Sequence, residues 1–161
     1  MPTAPDPLIP PISDRDRLHA AILTTAMEGG VGYWAAAVAY EPGDFALPGD
    51  VAGRTAPEDL PVASLLPAVD GRAWFAARPV PEQPLATWAD DDGALRPVLL
   101  LTVDTVARGL RAVMAEPQTR AARLLARAVR DGDLYGATSL VDADLADVIV
   151  QVGAFGREVY A

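Results

Sequence analysis

The stretch Asp142-Ala-Asp-Leu-Ala-Asp-Val-Ile-Val-Gln-Val-Gly-Ala-Phe-Gly156 decides how this chain folds. Asp142 stands where an N-cap side chain accepts a backbone N–H, and Asp144 puts negative charge at the positive end of the helix. Gly156 supplies the stop. From Val148 onward the run is apolar almost all round, and a helix with so little polar face must be buried on most sides. It reads as a core helix or as part of a subunit interface, with Tyr160 just beyond it pinning the chain end.

Working back from there, Pro117 opens a helix at Gln118–Arg130 that Asp131-Gly132 closes. Before it, Val106, Leu110, Val113 and Met114 fall on a helical spacing over Asp104–Ala115, capped by Thr102 or Asp104. Fourteen of the 15 prolines lie at or before Pro97, so helix-breaking punctuation is confined to the first part of the chain. There, Ser13 with Asp16 forms a near capping box for a helix at Asp14–Glu28, and Gly29-Gly30 ends it as a left-handed C-cap. Val31–Glu41, Arg72–Arg78 and Pro97–Thr102 read as strands, with Asp90-Asp91-Asp92-Gly93 as the turn before the last. A short helix is expected at Pro57–Leu66 within an otherwise turn-rich stretch. The expected fold is therefore α+β: an N-terminal helix, a small antiparallel three-stranded sheet and three C-terminal helices. Residues 1–12 read as a flexible Pro-rich arm and residues 13–161 as one domain.

Composition removes several chemistries. The 161 residues include no Cys, which excludes disulfides, thiolate nucleophiles and thiolate metal sites. One His excludes a zinc site built on two or three imidazoles, and neither a metal nor a cofactor is expected. The N-terminal eleven residues hold five prolines and no basic group, unlike a signal peptide. The longest apolar runs, Val31–Tyr40 and Pro97–Val103, are too short to span a bilayer, so a cytoplasmic location is expected.

The turn Gly29-Gly30-Val31-Gly32-Tyr33-Trp34 is the most distinctive local feature. A glycine-rich loop can cradle phosphate when it leads into a helix N-terminus. Here it follows a helix, so the dipole has the wrong sign, and the favoured reading is a helix stop with aromatics anchored in the core. His19 reads as a helix-surface histidine. Asp90, Asp91 and Asp92 read as a solvated turn, lacking the spacing of a calcium loop. Gly136-Ala137-Thr138-Ser139 is not a nucleophile elbow.

Charge is distributed unevenly. All 13 basic residues are Arg, and the net charge is −9. Between Thr105 and Arg130, six arginines (Arg108, Arg111, Arg120, Arg123, Arg127 and Arg130) face one acid, Glu116, giving +5 there and −14 elsewhere. Arg120, Arg123, Arg127 and Arg130 follow i, i+3, i+7, i+10 along one helix face. The stripe either pairs with acids of this chain or a second copy, or binds an anionic partner. Nucleic acid is disfavoured by the acidic remainder.

Ile22-Leu-Thr-Thr-Ala-Met-Glu-Gly-Gly-Val-Gly-Tyr-Trp34, Val103–Leu110 and Asp142–Gly156 with Val159-Tyr160 together resemble an uncharacterised family common in actinobacteria and their phages. The absence of Lys and Asn beside 31 Ala fits the high-GC coding of such a source. Arg157 departs from that pattern, which carries Glu there. The resemblance implies an accessory, phage-linked protein and assigns no catalytic residues.

Two functional readings follow. The first is a non-enzymatic phage- or prophage-type accessory protein that binds a macromolecular partner as a homo-oligomer, through Arg108, Arg111, Arg120, Arg123, Arg127 and Arg130. The alternative is a small-molecule or nucleotide binder, an enzyme among the options, with a pocket at Glu28, Gly30, Tyr33 and Trp34. With no catalytic constellation in the sequence, the first is favoured; its partner is a protein or a second copy, and no membrane is involved.

Overall fold

The computed structural model describes residues 14–32, 34–39, 63–67, 78–83, 85–89 and 95–160. Helix α1 (Asp14–Thr25) continues into a π-helical turn, Ala26–Gly30. Four strands follow, β1 (Ala35–Ala39), β2 (Ala63–Pro67), β3 (Leu85–Ala89) and β4 (Leu95–Leu101), all paired antiparallel in the order β1-β2-β4-β3. Four helices complete the chain: α2 (Val103–Ala115), α3 (Arg120–Arg130), α4 (Leu134–Leu140) and α5 (Ala143–Phe155).

The expected α+β arrangement of a three-stranded sheet and three C-terminal helices is thus corrected. Helix predominates among the described residues, the sheet has four strands, and four helices follow it. Leu134-Tyr-Gly-Ala-Thr-Ser-Leu140 has weak intrinsic helix propensity and gave no periodic signal. Its helix exists because the Asp133 side chain accepts from the Gly136 N–H at 2.8 Å and because α4 packs on α1 and α3. Ala63–Pro67, expected at the end of a short helix, is instead a strand whose partners lie on both sides, at Ala35–Ala39 and Leu99–Leu101. Sheet pairing there outweighs local propensity. Leu85–Ala89, which follows Pro79, Pro81 and Pro84 in the sequence and lies outside the expected strands, is also a strand. The arm at 1–12, the strand expected at Arg72–Arg78 (save Arg78 itself) and the Asp90–Gly93 turn lie outside the described residues.

The C-terminal helices match their sequence cues closely. Thr102 caps α2 through a capping box with Thr105, Thr119 caps α3, and Asp142 accepts from the Leu145 N–H at 2.8 Å. Gly156 ends α5 with φ of 76°, a conformation that a Cβ would strain. The core lies where α1, α2, α3 and α5 meet, with Leu18, Ile22, Leu110, Leu125, Ile149 and Val150 buried. Leu99 and Leu101, two apart on β4, turn the same way and join the sheet to this core. Each such side chain contributes about 1.5–3 kcal/mol by leaving water.

The closest approach is between α2 and α5. A Cβ at Gly109 would stand 1.8 Å from the Ile149 carbonyl oxygen, and one at Gly153 2.0 Å from that of Thr105. Two glycines facing opposite backbones let the helices touch main chain to main chain.

Candidate functional site

The two sequence runs that stood out as distinctive meet in one buried polar network. The π turn ends when the Val31 N–H donates to the Ala26 carbonyl at 3.0 Å, five residues back. That wider turn delivers Trp34 to α5, where its indole Nε1 donates to Asp147 Oδ1 at 2.8 Å. Gln151 Nε2 donates to Asp147 Oδ2 at 2.8 Å and to the Tyr160 carbonyl at 2.9 Å. Gln151 Oε1 in turn accepts the N–H groups of Val159 and Tyr160, at 2.8 and 2.7 Å. The Tyr160 ring stacks on Trp34 with centroids 5.0 Å apart, and Phe155 meets both rings edge-on. Burial raises the pKa of the Tyr160 phenol above its usual value.

A carboxylate only 4% exposed must have its oxygens satisfied, and both oxygens of Asp147 accept hydrogen bonds. The arrangement ties the start of the sheet, the last helix and the chain end together. Asp147 and Gln151, i and i+4 on a helix otherwise apolar from Leu145 onward, are the sequence signal for it, since polar groups on a buried face require partners.

Of the residues expected to line a pocket here, Trp34 is buried with its N–H committed to Asp147. Gly30 is buried against α5, where a Cβ would come within 2.7 Å of the Ala143 carbonyl. Neither it nor Gly29 is in the left-handed region, so the expected glycine C-cap is corrected: Val31 is the C-cap, and Gly30 serves close packing. Glu28 is exposed, and Tyr33 lies outside the described residues. His19, expected at the surface, is buried at 9% exposure.

The arginines divide into two groups. Arg108 is bound inside: Nη2 donates to Gln83 Oε1 at 2.9 Å and Nε to the Gly153 carbonyl at 3.2 Å. Thr105 Oγ1 donates to the same Gln83 oxygen at 2.9 Å, and the Val80 N–H donates to the Ala154 carbonyl at 2.8 Å. Arg108 thus fastens the segment before β3 onto the α2–α5 crossing, and partial burial lowers its pKa. Arg111, Arg120, Arg123, Arg127 and Arg130 are exposed. Of these, Arg127 pairs with Asp131 at 3.8 Å, and that contact is highly exposed. The α3 stripe is a solvent-facing cationic face with Leu124, 41% exposed, at its edge.

Beside that face is a groove of about 500 Å³ between the end of α2, the start of α3 and α5. Val113, Leu145, Val148 and Val152 supply its apolar wall. Glu116, Asp142, Asp144 and Glu158, all exposed, give it an acidic rim. Among the described residues no group of three or more His, Asp or Glu is placed to hold a metal ion, and no helix is long and apolar enough to cross a membrane. No family model, curated protein or solved structure matches this chain.

Proposed function

We propose that the protein is a non-enzymatic accessory protein of phage or prophage type that binds a macromolecular partner through α3 and works as a homo-oligomer. One observation carries this reading: four arginines form an exposed helical face with an exposed leucine at its edge, while the polar groups of the interior are engaged in holding the fold. Arginine forks suit carboxylate-bearing partners, and the exposed leucine beside them adds apolar contact. Arg108, expected with the others, acts on the fold instead. The alternative of a ligand pocket at Gly30 and Trp34 is weakened because Trp34 spends its N–H and its ring face on Asp147 and Tyr160.

The test is affinity capture from host lysate at low salt, comparing the natural chain with the quadruple Arg120, Arg123, Arg127 and Arg130→Gln variant. The reading predicts retained partners or self-capture for the natural chain and their loss, by about tenfold or more, for the variant. Equal capture by both chains would overturn it.

A further inference from the structure

We propose that the acid-rimmed groove receives the α3 arginine face of a second copy, so that two chains close on each other about a two-fold axis near Leu124. This rests on the binding role given to α3 and names its partner. The groove and the cationic face adjoin on one helix: Thr119, Ala121 and Ala122 line the groove, while Arg120, Leu124 and Arg127 point outward beside them. In a symmetric antiparallel pairing of two α3 helices centred on Leu124, position 127 of one copy stands opposite 121 of the other, and 130 opposite 118. At a rise of about 1.5 Å per residue, Arg127 and Arg130 then fall about 4.5 and 9 Å past the axis. That is the groove mouth of the other copy, where Gln118 and Glu116 stand.

The same register brings Asp131 toward the start of the opposite α3, where Arg120 is exposed. Each copy thereby offers Arg127 and Arg130 to the other copy's rim of carboxylates, Glu116, Asp142, Asp144 and Glu158, with Leu124 shielded at the axis. The interface is self-complementary and closes at two copies. It also accounts for why a chain of net charge −9 places its positive charge beside a concave acidic surface rather than dispersing it.

Sedimentation velocity on the full chain and two charge-swapped variants decides the matter. The Glu116→Arg/Glu158→Arg pair alters the rim but spares the Asp142 cap, and the Arg127→Glu/Arg130→Glu pair alters the face. The natural chain should dimerise with concentration and lose affinity as salt rises. Each variant alone should dimerise at least about tenfold more weakly, because like charges then meet across the interface. Mixed together, the two should form a heterodimer at near-natural affinity, since both contacts again pair opposite charges. That recovery also shows that both variants are folded. A natural chain that stays monomeric would overturn the dimer, as would dimerisation undiminished in either variant or no heterodimer on mixing. If lysate capture still depended on the arginines while the natural chain stayed monomeric, the binding role of α3 would stand and only this partner would fall.

Discussion

Trp34 and Asp147 are separated by 113 residues yet share a 2.8 Å hydrogen bond, and the consequence can be read from either end. Trp34→Phe keeps most of the ring stacking on Tyr160 but removes the donor, leaving Asp147 Oδ1 buried without it. A loss of about 1–3 kcal/mol in urea unfolding is expected. Asp147→Ala strands the indole N–H and one Gln151 donor together and should cost more than Trp34→Phe. Combined in a double-mutant cycle, the two losses should fall short of additivity, as they do for groups in one network. Tyr160 adds a pH dependence. Because burial raises its folded-state pKa above the unfolded value near 10, the folded state holds its proton longer. Its contribution to stability is complete below that unfolded value and is lost as pH climbs from there through the folded pKa. Tyr160→Phe should remove that component of alkaline destabilisation in a pH series of unfolding midpoints.

At the scale of elements, the α2–α5 crossing is the most demanding packing. Gly109→Ala or Gly153→Ala would force a methyl onto a backbone carbonyl, so the helices must separate. A cost of about 3 kcal/mol, at the upper end for overpacking, is expected in thermal or urea unfolding. Asp142→Ala should cost only about 1 kcal/mol, because its loss unsatisfies one N–H at an exposed helix start. These elements also show what was legible in advance. The caps at Thr102, Asp142 and Gly156, and the burial of α5, were local signals and could be read directly. The strand at Leu85–Ala89 and the helix at Leu134–Leu140 depend on partners distant in the chain, so neither periodicity nor propensity announced them. Glycine after a helix is commonly a conformational device, and the sequence predicts that role for Gly30. Its actual constraint, contact with Ala143 and Asp147, is tertiary and has no local signature.

For the whole molecule, the division of labour between interior and surface is the main result. The polar groups Asp147, Gln151, Gln83, Thr105 and the part-buried Arg108 are bonded within the chain, while the arginines of α3 stand outside that network and face solvent. The unequal charge distribution pointed to that helix from sequence alone, but not to Arg108's separate duty, which needed Gln83 and Gly153 brought beside it. If the arginine face of α3, unlike its buried Leu125 side, is spare to the fold, its arginines can be neutralised at little thermodynamic cost. The most direct measurement is the urea-unfolding free energy of the quadruple Arg120, Arg123, Arg127 and Arg130→Gln variant against the natural chain, both dilute. Loss of one exposed ion pair and two favourable charges at the helix end predicts a difference below about 2 kcal/mol. A loss of about 4 kcal/mol or more would mean that the stripe holds the fold together, and would contradict its assignment as the binding surface.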